Sequence, residues 1–175
     1  SLMVGYRGQV VLNAAIGRMD YSDRSDAGSS DTIYDLASVS KAVGTTSAAM
    51  QLIESGRLLL HAPVMDYLPE FQGPGKDKIL VRHLLEHRAG LPAFLPFYKE
   101  AKGYAAVLQK VCQTPLEADP DTRTKYSDLG MILAGEIIDR TSGKTLDPFL
   151  SDEIFRALGM NSTSYRTPRT SKKRI

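Results

Sequence analysis

The chain has 175 residues, of which 42% are hydrophobic and 24% are charged, and its formal net charge is +2 at pH 7. This composition is typical of a single soluble globular domain with a buried core, and so small a net charge argues against a nucleic-acid partner. A single cysteine, Cys112, excludes an internal disulfide. No run of eighteen apolar residues and no signal-peptide pattern is found, so no membrane span is predicted and the compartment (periplasmic, secreted or cytoplasmic) stays open.

The first predicted element is a β-hairpin. Two short apolar runs, 4–6 and 9–16, flank Arg7 and Gly8, and a glycine readily adopts the positive φ that a tight hairpin turn requires. A polar loop rich in Ser, Asp and Gly follows at 20–31. No other strand is evident, and a lone hairpin is only marginally stable unless it packs against something.

Helices are predicted for most of the remaining chain, because apolar residues recur there at helical spacing. The longest begins near Ser38 and ends at Ser55, where Gly56 can supply a left-handed cap. Later glycines are expected to stop further helices in the same way. These other predicted helices cover 63–67, 80–87, 104–111, 128–140 and 146–158.

Ser38 and Lys41 are the first candidates for chemistry, because they lie three residues apart at the start of the long predicted helix and share a face. A serine hydroxyl becomes a good nucleophile once a base removes its proton, and a nearby amine can do this if burial lowers its pKa. The helix N-terminus would favour the oxyanion that forms when Ser38 attacks a carbonyl group. Taken alone, this S-x-x-K spacing also fits an N-cap serine beside a solvated lysine, with Ser40 as an alternative cap.

Further motifs accompany this pair along the chain, including a Tyr-Ser-Asp triplet that runs from Tyr126 to Asp128. The motifs lie at 34–41, 52–58, 63–71, 81–92, 126–128 and 130–135. In wording and order they resemble the serine β-lactamase and penicillin-binding-protein-like hydrolases, most closely the class C β-lactamase and esterase branch. The resemblance covers about residues 4–165, nearly the whole chain.

The resemblance implies three catalytic residues. Ser38 matches the acylated serine, Lys41 matches the lysine that shares its proton, and Tyr126 matches the tyrosine of the second motif, which is proposed as the base in that family. A tyrosine with a pKa near 10 can act as a base only if a cation such as Lys41 favours its phenolate. No cofactor and no metal are expected: His83 and His87, four residues apart, are interpreted as structural rather than as a metal-binding pair.

Asp128 departs from the family's pattern, which usually has an asparagine at this place. An ionised carboxylate only accepts hydrogen bonds, so it would pair with Lys41 and raise the pKa of that lysine. It would also repel the carboxylate of a penicillin-type substrate. We therefore assign Asp128 to substrate binding and expect carboxylic esters in preference to β-lactams.

The fold implied by the resemblance is α+β, with a mainly helical domain at 32–175 that is largely complete. The antiparallel sheet domain is reduced to the hairpin and loop at 1–31. The family's third motif, K-T-G or H-x-G on a later strand, is not found, so we expect an incomplete chain. Because that strand supplies one oxyanion donor, whose loss costs about 3 kcal/mol, the chain alone is expected to be weakly active or inactive. An uncovered hairpin would also favour a homo-oligomer or a swapped assembly that completes the sheet.

The resulting prediction is a serine hydrolase that forms an acyl-enzyme at Ser38. Its substrates would be small-molecule esters, β-lactams or D-peptide-like amides, and the sequence does not choose among esterase, β-lactamase and D,D-peptidase. The alternative is a non-catalytic module that keeps the fold and binds a ligand or a partner chain.

Overall fold

The structure of the protein, a computed structural model, describes residues 1–166. It divides into two compact units: one contains Ser1–Leu36 and the segment that begins at Ser164, and the other contains Ala37–Thr163. The domain boundary predicted between residues 31 and 32 stays a prediction. The basic run at 172–174, interpreted from the sequence as a solvated tail, lies outside the described residues.

The first unit contains the predicted hairpin. Strand β1 (Leu2–Tyr6) pairs antiparallel with strand β2 (Gln9–Ala14) in a two-stranded sheet. Both turn residues have positive φ, 48° for Arg7 and 77° for Gly8. This is the conformation of a two-residue mirror-image turn, whose twist matches that of the strands it joins. The turn is the local reason why the two apolar runs pair with each other.

The hairpin ladder is interrupted once. The pairing shifts between Val4 and Gly5, and β2 ends at Ala14, before the predicted end of the run. A bulge of this kind increases the local twist and bends the strand that carries the extra residue. Apolar side chains of both strands are exposed, among them Val10 and Val11 at 60% each.

Helix α5 (Asp128–Ser142) lies at the centre of the second unit. Its residues Leu129, Leu133 and Ile137 recur every four positions and are at most 1% exposed, so they form one apolar stripe along the helix. Burial of each such side chain contributes about 1.5–3 kcal/mol to stability. The stripe shares its core with buried residues of the other helices, α1 (Ser47–Glu54), α2 (Val64–Tyr67), α3 (Val81–Leu85), α4 (Tyr104–Gln113) and α6 (Leu146–Leu150).

The longest predicted helix consists of a π-helical turn followed by an α-helix. A π-helical turn, Lys41–Thr46, precedes the regular helix α1. Gly44 and its β-branched neighbours have low α-helical propensity, and the hydroxyl of Ser47 donates to the carbonyl oxygen of Ala42 at 3.0 Å, five residues earlier. Both features favour the wider winding. The helix then ends before Gly56, whose φ of 70° gives the predicted left-handed cap.

The last predicted helix also changes its winding. Helix α6 is followed by a π-helical segment, Ser151–Phe155, in which the amide of Arg156 donates to the carbonyl of Ser151 at 3.1 Å. Two 3-10 turns, Lys76–Lys78 and Phe97–Lys99, lie in stretches where no helix was predicted. The predicted α+β class is confirmed by the small antiparallel sheet and the helical body. None of the helices within residues 1–166 is both long and apolar enough to cross a membrane.

Candidate active site

Ser38 lies where the chain turns into the first helix of the second unit, and it is exposed. The preceding residue, Ala37, has a φ of 43°, a left-handed conformation that is uncommon for residues other than glycine. Backbone strain of this kind clusters at functional sites, where the surrounding structure must hold it. The alternative cap, Ser40, makes no side-chain hydrogen bond to the helix. Its own amide donates to the Ala37 carbonyl at 3.1 Å.

Lys41 joins the candidate residues to one another. Its Nζ donates to Oγ of Ser38 at 3.1 Å and pairs with Oδ1 of Asp128 at 2.8 Å. The same nitrogen lies 4.9 Å from the centre of the Tyr126 ring, close enough for a cation–π contact. The structure therefore brings together all four residues selected from the sequence: Ser38, Lys41, Tyr126 and Asp128.

The neighbours of Lys41 stabilise its protonated, positively charged form. Burial alone would lower the pKa of Lys41, but hydrogen bonds with Asp128 and Tyr126 and the negative charge of Asp128 act in the opposite direction and prevail, so the pKa is raised. Opposite charges within a few ångströms favour the ionised form in this way. An amine that stays protonated is a poor base, so Lys41 is better suited to stabilising negative charge than to removing a proton.

Tyr126 is affected in the opposite sense. Hydrogen bonds with Lys41 and then with Ser38 lower the pKa of the Tyr126 phenol, and they outweigh partial burial and the charge of Asp128, which raise it. The side chain is half exposed, at 50%. The arrangement thus places a phenol with a lowered pKa, Tyr126, and a protonated amine, Lys41, beside the hydroxyl of Ser38. This combination is suited to removing the proton of the serine hydroxyl.

The segment that carries Tyr126 is held by the start of helix α5. The hydroxyl of Ser127 accepts from the amide of Gly130 at 3.3 Å, as an N-cap does, and donates to the carbonyl of Pro92 at 2.6 Å. The amide of Asp128 donates to the carbonyl of Ala93 at 2.8 Å. These bonds fasten residues 127–128 to the loop after α3. In the Tyr-Ser-Asp triplet, Ser127 therefore has a structural role, while Tyr126 and Asp128 both lie beside Lys41.

His87 is the residue of the site that the sequence did not reveal. Its ring lies 4.6 Å from the ring of Tyr126, inclined by 44°, and its Nδ1 accepts from the amide of Ser127 at 3.2 Å. From the sequence His87 was interpreted as structural, and its place beside Tyr126 was not foreseen. Because about 40 residues separate the two in the chain, no spacing rule links them.

His83 makes contacts that differ from those of His87. The His83 side chain is buried, its Nδ1 accepts from the amide of Leu80 at 3.1 Å, and its Nε2 lies 4.0 Å from Asp121. Within residues 1–166, no group of three or more His, Cys, Asp or Glu side chains is arranged to hold a metal ion.

Comparisons with known proteins agree with this architecture. The sequence profile of the family described as Beta-lactamase matches residues 1–175. The chain is 34% identical, over 147 residues, to the N-acetylmuramyl-L-alanine amidase of Bacillus subtilis (strain 168). This match covers 77% of this chain and 33% of that protein. Its structure is similar to that of the beta-lactamase/D-alanine carboxypeptidase from Pseudomonas syringae, with a TM-score of 0.74, 29% identity, and coverage of 84% of this chain and 41% of that one.

A penicillin-binding protein homolog from Caulobacter crescentus is also similar in structure, with a TM-score of 0.64 and 30% identity over 74% of this chain and 35% of that one. The chain spans about a third of the length of the curated relatives it matches. The resemblance inferred from the motifs is confirmed by the profile match and by these structures. The chain belongs to the Beta-lactamase family.

Proposed function

We propose that the protein is a serine hydrolase in which Ser38 forms an acyl-enzyme, Tyr126 is the base and Lys41 is the cation that favours the Tyr126 phenolate. The observation that supports this most directly is the position of Lys41 Nζ, 3.1 Å from Oγ of Ser38 and 2.8 Å from Oδ1 of Asp128. This position explains both the raised pKa of Lys41 and the lowered pKa of Tyr126.

The first half-reaction transfers the acyl group to Ser38. The phenolate oxygen of Tyr126 takes the hydroxyl proton of Ser38 while Oγ forms a bond to the substrate's carbonyl carbon. The tetrahedral adduct then collapses, the bond to the leaving group breaks, and the leaving group takes the proton from Tyr126. Lys41 keeps its own protons throughout and offsets the negative charge that develops beside it.

The second half-reaction frees the enzyme. A water molecule gives a proton to Tyr126 and attacks the acyl carbon, and the new tetrahedral adduct expels Oγ of Ser38. That oxygen takes the proton back from Tyr126, which restores the starting state. General acid–base catalysis of this kind contributes roughly 10²–10⁴-fold to a rate.

We further propose carboxylic esters as the preferred substrates. Asp128 brings a carboxylate to the site, with a side chain that is 39% exposed. A substrate that itself carries a carboxylate near the reacting carbonyl meets like-charge repulsion there, whereas a neutral ester does not. Amides of the kinds named for the relatives, an amidase and a beta-lactamase/D-alanine carboxypeptidase, are the second candidate class.

Covalent labelling tests this function without needing rapid turnover. A fluorophosphonate probe should label the protein once, and an activated neutral ester such as p-nitrophenyl acetate should release one equivalent of p-nitrophenol in a burst. Ser38→Ala should lose both signals. Ser40→Ala, which removes a hydroxyl two residues away, is the matched control and should keep both.

Two outcomes would overturn the proposal. Equal labelling of Ser38→Ala and the unaltered protein would show that another residue is acylated. No label and no burst from the unaltered protein, when circular dichroism shows it folded, would favour the alternative of a non-catalytic module that binds a ligand or a partner chain.

A further inference from the structure

We propose that His87 is a positioning residue that holds Tyr126 in its reactive place only while the His87 ring is neutral. Protonation of His87 would then lower the activity of the site. This inference rests on the proposed function in that it assigns Tyr126 as the base. It is carried by two hydrogen bonds, a ring contact and an unusual backbone conformation at His87.

His87 holds the backbone on both sides of Tyr126. Its carbonyl oxygen accepts from the amide of Lys125 at 2.8 Å, and its ring Nδ1 accepts from the amide of Ser127 at 3.2 Å. Tyr126 lies between these two anchored residues, and its ring packs on the imidazole with centres 4.6 Å apart. One residue therefore fixes both the backbone and the ring of the proposed base.

The backbone of His87 is itself constrained. Its φ is 57°, in the left-handed region that few residues other than glycine adopt, although asparagine, aspartate and histidine do so more often than the rest. This conformation follows the end of α3 and lets the ring and the carbonyl of one residue reach the same neighbouring segment. Strain of this type persists only where surrounding contacts hold it, and the bonds to Lys125 and Ser127 are such contacts.

The bond to Ser127 defines which form of His87 is compatible with the site. A backbone N–H can only donate, so Nδ1 of His87 must carry a lone pair, and in the neutral ring the proton is on Nε2. A second proton would have to bind at Nδ1, where it would face the N–H of Ser127. Two donors would then oppose each other, and the bond that anchors the residue after Tyr126 would be lost.

The net effect of the surroundings also favours the neutral ring. The titratable groups that face it are Lys41 on the π-helical turn, Tyr126 on the neighbouring segment and Asp128 at the start of α5. Burial and the positive charge of Lys41 lower the pKa of His87, and together they outweigh the negative charge of Asp128, which raises it. The neutral ring therefore prevails at neutral pH, and the charged ring forms only under more acidic conditions.

The test compares three substitutions by their pH profiles. In the unaltered protein the logarithm of kcat/KM for a neutral activated ester should fall as Tyr126 is protonated. It should fall more steeply once His87 is protonated, which happens at a pH below about 6.5, the ordinary histidine pKa, because the pKa of His87 is lowered. His87→Asn keeps an acceptor near the position of Nδ1, tolerates the positive φ and does not titrate. This variant should lack the steeper acidic part, so its rate relative to the unaltered protein should grow as the pH falls.

His87→Leu removes the acceptor and should lower kcat by roughly tenfold with little change in KM, because an ordinary hydrogen bond is lost from the positioning of the base. The asparagine variant should recover most of that loss. His61→Asn, at an exposed histidine, is the matched control and should leave the profile unchanged. A steep acidic part that persists in His87→Asn, or a His87→Leu variant with full kcat, would overturn the proposal.

A second measurement does not depend on turnover. With ¹³C at the ζ carbon of tyrosine, the resonance of Tyr126 should shift as His87 titrates in the unaltered protein and should not shift over that range in His87→Asn. If Ser38 is never acylated but this shift is observed, the positioning role stands and the proposed function fails. If Ser38 is acylated but the Tyr126 resonance does not shift as His87 titrates, the proposed function stands and the positioning role of His87 fails.

Discussion

The ammonium group of Lys41 and the carboxylate of Asp128 form an ion pair with 2.8 Å between Nζ and Oδ1, at a place where neither side chain is fully buried. The pair keeps Lys41 charged, and it keeps a carboxylate, with a side chain that is 39% exposed, beside Ser38 and Tyr126. Both consequences can be measured.

Replacing Asp128 by asparagine should shift substrate preference toward anionic acyl donors. Two like charges about 8 Å apart repel by about 2 kcal/mol at an effective dielectric constant of about 20, and exposure of Asp128 weakens this, so the gain should be on the order of tenfold. The measurement is the acylation rate constant of Asp128→Asn with a fluorescent penicillin, relative to a neutral ester. Asp66→Asn, an equal charge change on α2, should have no such effect. An equal gain for both substrates would contradict the idea.

Tyr126→Phe should slow acylation at least 100-fold while the protein stays folded, because the phenyl ring can still pack on His87 but cannot accept a proton. Since the pKa of Tyr126 is lowered, the rate in the unaltered protein should rise with pH and level off below pH 10. Stopped-flow ester bursts between pH 6 and 10 would show this. Tyr98→Phe, at an exposed tyrosine, is the control. A rate in Tyr126→Phe within tenfold of the unaltered protein would exclude Tyr126 as the base.

Asp139→Asn should stabilise the protein at pH 7.5 by about 1–2 kcal/mol. Burial, and then the charge of Glu136, raises the pKa of Asp139 to about 6. Above that pH the carboxylate is charged in both the folded and the unfolded chain, but only in the folded chain is this charge destabilised by burial and by Glu136. As the pH falls from 6 toward 3.8, the folded chain is protonated first and the cost disappears.

The advantage of Asp139→Asn should therefore be full above about pH 6 and should vanish near pH 4. Urea unfolding at pH 7.5 and pH 4.5 gives the comparison. Asp77→Asn, at an exposed residue, removes the same charge and should show no such dependence. A gain of the same size at both pH values would rule out this explanation.

Gly90→Ala should destabilise the protein much more than Gly143→Ala. Both glycines have left-handed φ, 76° and 73°, so both variants bear a conformational cost of about 1–2 kcal/mol. At Gly143 an added Cβ meets nothing within 4 Å, whereas at Gly90 it would overlap with the carbonyl of Ala118. The loss at Gly90 should exceed about 3 kcal/mol. Equal urea midpoints for the two variants would show that the loop at Ala118 moves aside freely.

Local sequence signals predicted the hairpin and most of the helices, whereas the assignment of Ser38, Lys41 and Tyr126 as catalytic candidates depended on the family resemblance. The Arg7–Gly8 turn, the helical spacing in α5 and the glycine after α1 are features of neighbouring residues, and each appears in the structure close to its predicted place. Helix winding was predicted less well. The π-helical turn depends on a bond between Ser47 and Ala42 that no periodicity reveals.

Tertiary structure decided which groups meet across long stretches of the chain. Lys76 is only 2% exposed, and its ammonium donates to the carbonyl of Cys112 at the end of α4, although a lysine in a polar turn would ordinarily be expected in water. His87 meets Tyr126 for the same kind of reason, through a bond to the Ser127 amide. In both cases the partner is a backbone group of a remote segment, and every residue type except proline carries the same backbone donor and acceptor. Only packing, which brings the segments together, can select that partner.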